Sequence, residues 1–458
     1  MKKLLLVYIV LILSSCSFDN KTGIWKDASS ISVDNKITKS ISTNPQSKRY
    51  EEIFTKNQTF DKEKEPVNFS NIKINSPLVV KNWPEQYISP FNNISNFSYS
   101  SKKILLSKSS KLRKISKNNA YFSNKKIIFY KDNLISYDHK GTIYIYSPSL
   151  KKKIFEYNFY KKNFKNFEKE INLIINNNIL FASDNLGYMY AININNKDIV
   201  WAKNYGIPFR SNLKFANNQI FLANQDNVIY SVNSNTGEKN WEFATSLTFL
   251  KSDFENNFAL DLVNNVLFFL NTSGELYSID YITQKIKWVL NFKNASLNSD
   301  TQLFLSQPIV IKNNILIITT EKAILSYDTF SGLRNWIFSA ESAFKPIITS
   351  EHTYSILKNN LLVCLDNLSG SIIWSKNIFN NIDNKKIKKN FKSIIDFKIV
   401  NNIINIYSNN GHLVSVDPNR GSIISSDRIS RRGISSEIFF LDNKMLFVDN
   451  NNRLLKFN

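Results

Sequence analysis

The side chains best suited to covalent or metal chemistry are few in this sequence and lie far apart. The three histidines, His139, His352 and His412, fall in different segments of the 458 residues, and neither cysteine has the spacing of a zinc ligand. Cys364 lies inside the apolar run 361–365, where a thiol usually serves as a small buried hydrophobe. Neither a glycine-rich phosphate loop nor a nucleophile elbow occurs. The sequence therefore predicts a protein that is not an enzyme and that needs neither a cofactor nor a metal ion.

The second cysteine, Cys16, ends a segment with the composition of a signal peptide. Two lysines precede an uninterrupted apolar run at 4–13, which is too short to span a bilayer. Leu13-Ser14-Ser15-Cys16 resembles the lipobox of bacterial lipoproteins, in which the cysteine thiol is acylated. We therefore expect residues 1–15 to be a signal peptide and Cys16 to be the site of lipid attachment. The alternative is an ordinary secretory signal followed by an incidental cysteine.

The segment after Cys16 is polar up to about residue 80. Ser, Lys, Asn and Thr dominate it without sustained periodicity, so it offers too little apolar area to offset the entropy of ordering. We predict a lipidated, flexible tether over residues 16–80 and a folded domain over residues 81–458. Ser17 rather than Asp follows the cysteine, and by the sorting rule of Gram-negative lipoproteins this favours the outer membrane, with the protein on its periplasmic side.

Seven copies of one spacing organise the rest of the chain. In each copy an Asp, Asn or Ser ends a β-patterned run, and an aromatic residue or its replacement follows eight positions later. The pairs are Ser147–Phe155, Asn193–Trp201, Asn233–Trp241, Asp280–Trp288, Asp328–Trp336, Asp366–Trp374 and Asp417–Ser425. Successive anchors lie 38 to 51 residues apart, which indicates one supersecondary unit repeated with insertions in its loops.

Each repeat has the pattern of a β-sheet that is buried on both faces. Positions one, three and four before the anchor are large and apolar in nearly every copy, and the position two before it is small in most. In four copies a glycine four residues after the anchor allows a turn with positive φ. A sheet stacked between two similar sheets explains these faces. Packing between such sheets also explains the five tryptophans of the repeat better than a ligand cage does.

The repeat predicts an all-β, eight-bladed β-propeller with four-stranded antiparallel blades. A unit of about 45 residues holds three or four strands, the size of one blade. Seven units end near residue 430, and residues 438–457 add three strands without a fourth. We expect a strand from residues 98–108 to complete this last sheet and close the ring. Seven blades are the alternative if the first unit is mostly connection.

The apolar–small–apolar–Asp/Asn run, the Thr/Ser-Gly turn and the following Trp resemble the repeat of quinoprotein-type (PQQ-like) propellers. With the lipobox, the tether and the Asn-Trp-Pro-Glu-Gln-Tyr entry at 82–87, the chain is similar to the BamB family over residues 1–16 and 80–458. The resemblance implies a non-catalytic lipoprotein scaffold of the outer-membrane β-barrel assembly machinery. Such a protein would bind the periplasmic domains of BamA and other assembly subunits, and would assist the folding and insertion of outer-membrane proteins.

The family's partner-binding loops carry a Leu-Arg pair and nearby aspartates, and this sequence has no clean counterpart. Its nearest features are Phe209-Arg210, which follow residues 205–208, and Asp300. An aromatic residue beside Arg has the chemistry of an interface hot spot. The resemblance therefore implies Phe209, Arg210 and Asp300 as partner-binding residues. The alternative is that Arg210 is a solvated loop charge and Pro208 a turn former.

Two other functions stay open. A PQQ-dependent dehydrogenase-like periplasmic enzyme on this fold would need Ca²⁺ ligands on the propeller axis, and its relatives share a vicinal disulfide, which two distant cysteines do not supply. A basic periplasmic scaffold would bind anionic surfaces through the formal charge of +22, with Lys385-Lys386-Ile387-Lys388-Lys389 as its best candidate. The lysines are spread through the chain, however, as is typical of solvated surface, so we predict no nucleic-acid partner. The scarcity of residues suited to site chemistry predicts that the protein has no small-molecule substrate.

Overall fold

The computed structural model describes residues 16–18, 25–27, 59–66, 72–112, 126–160, 164, 166–246, 257–292, 304–380, 382, 385–391 and 393–458. The chain divides into two units, residues 1–59 and 60–458. In the first unit, strands β1 (Cys16–Phe18) and β2 (Trp25–Asp27) pair antiparallel. The predicted signal peptide lies outside the described residues, and the boundary at residue 81 between tether and folded domain stays a prediction.

The second unit consists of four-stranded antiparallel sheets, each of which forms one blade. Blades 1 to 3 are β4 (Ile128–Tyr130), β5 (Asn133–Tyr137), β6 (Thr142–Ser147) and β7 (Lys152–Asn158); β8 (Ile171–Asn176), β9 (Ile179–Asp184), β10 (Tyr188–Asn193) and β11 (Asp198–Asn204); and β12 (Lys214–Ala216), β13 (Gln219–Ala223), β14 (Val228–Asn233) and β15 (Lys239–Ala244). Blades 4 and 5 are β16 (Asn257–Asp261), β17 (Val266–Leu270), β18 (Glu275–Asp280) and β19 (Lys285–Asn291); and β20 (Val310–Lys312), β21 (Ile315–Thr319), β22 (Ile324–Asp328) and β23 (Arg334–Phe338).

Blade 6 is β24 (Ile347–Ile348), β25 (His352–Ile356), β26 (Leu361–Asp366) and β27 (Ile372–Asn377), and blade 7 is β28 (Ile394–Val400), β29 (Ile403–Ser408), β30 (His412–Val416) and β31 (Ile423–Arg428). A short helix, α1 (Lys385–Asn390), connects these two blades. In the part of the chain that the structure describes, no helix combines the length and apolar composition needed to cross a bilayer.

The last blade combines a strand from the early part of the second unit with three strands from its C-terminus. Its strands β32 (Phe439–Leu441), β33 (Lys444–Val448) and β34 (Leu454–Phe457) come from the C-terminus, and β3 (Leu105–Lys108) pairs antiparallel with β34. This pairing closes the ring and removes the sheet edges that an open array would leave at its ends. The prediction of eight four-stranded blades is confirmed, and the closing strand falls within the predicted residues 98–108.

Antiparallel pairing sorts the connections onto two faces of the propeller. One face, here called the turn face, carries the hairpins that join the first to the second strand and the third to the fourth strand of each blade. The opposite crossover face carries the hairpins between second and third strands and the connections to the next blade. The first strands of neighbouring blades contact each other, so they surround the axis.

The tryptophans of the repeat fasten each blade to the next one. The indole N–H of Trp336 donates to the backbone carbonyl of Asn367 at 2.8 Å, one residue past the next blade's anchor. The ring lies on Gly370, where an added Cβ would come within 2.6 Å of it. The same arrangement recurs in Trp201 with Ser234 and Gly237, Trp288 with Thr329 and Gly332, and Trp374 with Pro418 and Gly421. The glycines of the repeat are therefore needed for this close approach as well as for their positive φ.

Two of the six junctions among blades 1 to 7 depart from this arrangement, because another residue replaces the turn glycine. Gln284 has a φ of 60°, and opposite it the buried indole N–H of Trp241 has no hydrogen-bond partner among the described residues. Lys197 has a φ of 66°, and the residue opposite it is Phe155 instead of a tryptophan. A side chain at the glycine position and a docked indole thus exclude each other in the described junctions.

Candidate functional site

Residues 80–100, here called the axial segment, cross the turn-face end of the central channel. Their hydrogen bonds reach the first strands, or the turns that follow them, in all eight blades. The bonds are Phe129–Trp83, Ile175–Pro84, Lys214–Ser89, Leu260–Pro90, Ile311–Phe91, Ile348–Asn93, Ile399–Phe97 and, in blade 8, Asp442–Val80 and Asn443–Ser100. This irregular segment is ordered because each blade satisfies part of its backbone and because Trp83, Ile88 and Phe97 are buried in the core.

Buried charges on the first strands hold the axial segment. Lys214 donates to Glu85 at 2.8 Å, and their side chains are 0% and 5% exposed. The same ammonium donates to the carbonyl of Ser89 at 2.9 Å and to Asn92 Oδ1 at 2.7 Å. Asn92 continues inwards, where its amide donates to the carbonyl of Phe258 at 2.7 Å. All three donor positions of the lysine are used, which is what a buried ammonium requires.

A second cluster of charges lies across the channel. Lys398 donates to Asp396 at 2.7 Å and lies 3.7 Å from Glu437. Burial lowers the pKa of Lys398, but these two carboxylates outweigh it and hold the pKa above its usual value. Burial, and then the charge of Lys398, lower the pKa of neighbouring Lys345 to about 7. The cluster therefore contains one lysine that changes charge near neutral pH.

The axial charges act structurally. Burial raises the pKa of the Glu85 carboxyl and lowers that of the Lys214 ammonium, while the opposite charge of each partner acts against that shift. A lysine that is neutral near pH 7 has the reactivity of a base or a nucleophile, yet Lys345 donates to the backbone carbonyl of Asn92 at 2.6 Å. These buried charges were not predicted from the sequence, and the one available signal was a lysine inside an otherwise apolar strand, as at Lys214.

The crossover face carries the loop that contains Phe209 and Arg210. Phe209 is buried, with edge-to-face contacts to Tyr205 and Tyr230 at ring distances of 5.4 and 6.0 Å. Arg210 forms an ion pair with Glu170 at 3.3 Å and keeps 26% of its side chain exposed. The structure thus joins the two residues in one loop but gives them different roles: the ring fixes the loop between blades 2 and 3, and the guanidinium reaches solvent.

Comparison with known proteins links part of the chain to one family. A family described as "Outer membrane protein assembly factor BamB" matches residues 161–376, which run from the connection before blade 2 to the end of blade 6. A curated protein of that name from Legionella pneumophila (strain Paris) is 29% identical over 69 residues, 15% of this chain. The chain is a BamB-like β-propeller.

The likenesses to two solved structures show the fold alone. BamB from Moraxella catarrhalis superposes with a TM-score of 0.58 at 12% identity, over 76% of this chain and 99% of that chain. A quinohemoprotein alcohol dehydrogenase from Comamonas testosteroni reaches 0.56 at 10% identity, over 82% of this chain and 80% of the dehydrogenase. Protein Ycf2 of Physcomitrium patens is 26% identical over 246 residues, 50% of this chain. The chain spans 11% of Ycf2 and 17% of the Legionella protein, so the activities of these whole proteins are not transferred by the matches.

Of the other residues that the sequence singles out, Cys364, His352 and His412 belong to the propeller. Asp300 lies outside the described residues. Cys16 belongs to β1, in the first unit. Cys364 is buried as a free thiol whose pKa is raised by burial, in keeping with a packing role. His352 and His412 are buried in blades 6 and 7, and within the described ranges no group of three or more His, Cys, Asp or Glu side chains is placed to hold a metal ion.

The lysine-rich run predicted as a basic candidate forms α1. Its Ile387 is buried in the apolar cluster between blades 6 and 7, whereas Lys388 and Lys389 are exposed. The helix is therefore anchored to the BamB-like propeller by one apolar side chain. Lys388 also donates to the carbonyl of Asn380 at 2.9 Å, which ties the helix to the chain that precedes it.

Proposed function

We propose that this BamB-like propeller is a non-catalytic lipoprotein subunit of the outer-membrane β-barrel assembly machinery. In this role it binds the periplasmic domains of BamA, together with other assembly subunits, and assists the folding and insertion of outer-membrane proteins. The family match over residues 161–376 carries the proposal, because the family is described as an assembly factor.

The axial segment supports a binding role over catalysis. An enzyme built on this fold places a flat cofactor and a Ca²⁺ ion on the propeller axis, which requires open space and free carboxylates. Here Glu85 and Asp396 are paired with Lys214 and Lys398, and Asn92 fills the space between the first strands. These residues already serve the closure of the channel, so the dehydrogenase alternative has no specific observation in its favour.

Attachment to the outer membrane through Cys16 is part of the proposal. Lipid chains on Cys16 would supply the durable membrane attachment that more than one acyl group gives. We predict that Cys16→Ser moves the protein from the membrane fraction to the soluble periplasmic fraction, as measured by cell fractionation and immunoblotting. An unchanged membrane fraction would contradict lipidation at Cys16.

The exposed guanidinium of Arg210 is the proposed contact with BamA. Arg210→Glu reverses its charge and should weaken binding of the BamA periplasmic domains by more than about 1 kcal/mol, the scale of an interface hot spot. The ion pair with Glu170 is partly exposed, so its loss should cost folding stability less than about 1 kcal/mol. Binding is measured by biolayer interferometry, and folding is checked by thermal unfolding.

A matched charge reversal separates this contact from general electrostatics. Arg334 is exposed on the turn face, at the start of β23, so Arg334→Glu changes the net charge by the same amount on the opposite side. We expect Arg334→Glu to bind BamA normally. Equal loss of binding in both variants, or in neither, would remove Arg210 from the proposed interface.

A further inference from the structure

A cleft opens on the turn face between blades 1 and 2, at the junction where Phe155 replaces a tryptophan. Its volume is about 230 Å³. Phe155 and Tyr130 contribute aromatic rings to its wall, and Ile154 and Ile194 contribute aliphatic side chains. Lys131 and Lys197 also line it. The cleft thus combines an apolar wall with two cationic side chains.

The cleft exists because two residues at this junction differ from the repeat: Phe155 replaces the tryptophan and Lys197 replaces the glycine. At four other junctions an indole fills this position, with its N–H on the carbonyl that follows the next anchor. The equivalent carbonyl here belongs to Ile194, which lines the cleft. A phenyl ring is smaller than an indole, and the Cβ of Lys197 stands where the docking glycines have none. The cleft therefore results from the presence of both Phe155 and Lys197 at this junction.

The charges around the cleft favour an anion. The Lys131 ammonium donates to the neutral Asn178 Oδ1 at 2.8 Å and lies 5.3 Å from the centre of the Tyr130 ring. The Lys197 ammonium has no carboxylate or hydrogen-bond partner among the described residues, although exposed Asp198 follows it in sequence. Nearby Asp132 is already paired with Lys456 at 2.8 Å. Among the described residues, the two lysines that line the cleft thus have no carboxylate partner.

We propose that this cleft binds a small aromatic carboxylate, with its ring against the apolar wall and its carboxylate on Lys131 and Lys197. An apolar cavity of roughly 150 Å³ accepts benzene, and drug-sized ligands need about 300 Å³ or more. A volume of about 230 Å³ falls between them and suits one bicyclic ring system with a short acidic arm. This inference concerns a site on the turn face and does not depend on the proposed role in barrel assembly.

Indole-3-acetate is the probe, and neutral indole is its control. Binding to the full-length protein in detergent is followed by ligand-observed NMR titration, which does not depend on a heat of binding. We expect saturable binding of indole-3-acetate and at least tenfold weaker binding of indole. Lys131→Met and Lys197→Met should each weaken the binding of indole-3-acetate by roughly tenfold, the effect of losing one charge-assisted hydrogen bond. Lys140→Met, an exposed lysine on the crossover face, should change nothing.

A filled junction provides an independent check. Phe155→Trp combined with Lys197→Gly restores the residue pair of the other junctions, so the indole should occupy the cleft, abolish binding and raise the melting temperature. Three results would overturn the proposal: no saturation with indole-3-acetate up to millimolar concentration, equal binding of indole, or unchanged binding in both lysine variants. Retained binding in the filled double variant would place the ligand elsewhere on the protein.

Discussion

Glu85 and Lys214 come from segments 129 residues apart and form the most deeply buried ion pair among the described residues. Neither charge reaches water, so each depends on the other and on the carbonyl and amide oxygens around it. Such a pair cannot be predicted from the repeat, because it joins a residue outside the repeat to a residue inside it. The turn anchors were predictable, since a capping Asp acts locally: Asp328 Oδ1 accepts from the N–H groups of Phe330 and Ser331.

Removing one partner of this buried pair should be costly. Lys214→Met leaves the Glu85 carboxylate buried without its counter-charge and should lower the free energy of unfolding by about 3 to 5 kcal/mol. The combined Lys214→Met and Glu85→Gln variant should lose less, because no charge is left buried. Urea unfolding at pH 7 measures both. As a control, Lys239→Met breaks an exposed pair with Glu242 and should cost less than about 1 kcal/mol. Equal losses in the single and double variants would contradict this account.

Packing between neighbouring blades depends on the fourth strand of one blade, which carries the tryptophan, and on the turn of the next blade, which carries the glycine. The spacing of anchor, glycine and tryptophan predicted packing of the indoles between sheets, and four of them do donate to the next blade's turn. The sequence did not indicate that the glycine of one blade serves the tryptophan of the blade before it. The tryptophan and the glycine that it contacts are separated by about one repeat in sequence. Their contact is seen only in the folded structure, where the turn of the next blade packs on the indole.

Gln284→Gly tests this relation at the junction of blades 3 and 4. A glycine removes the Cβ and the unfavourable φ of 60°, so the indole of Trp241 can approach the carbonyl of Tyr281. We expect an increase of about 1 kcal/mol in the free energy of unfolding, the scale of one hydrogen bond. The reverse change, Gly370→Ala, places a Cβ 2.6 Å from the Trp336 ring and should destabilise the protein. A Gln284→Gly variant that is less stable than the parent protein would refute the docking rule.

The second unit is a closed ring with two different faces. Blade number and closure followed from the sequence because the repeat is periodic and its last copy lacks a strand. The path of the axial segment could not be predicted from the sequence, because its irregular backbone is held by single hydrogen bonds from each blade. Closure of the turn-face end of the channel leaves the crossover face, with its inter-blade connections and Arg210, as the surface proposed for the assembly partner.

Site-specific photo-crosslinking in intact cells tests that assignment most directly. One crosslinking amino acid replaces Asp226, which lies on the crossover face in the turn where Gln225 donates to the carbonyl of Pro208 at 2.8 Å. A second replaces Leu368, which is 84% exposed on the turn face. The account predicts that position 226 crosslinks to the barrel-inserting subunit and that position 368 does not. Crosslinks from position 368 alone, or from neither position, would contradict it.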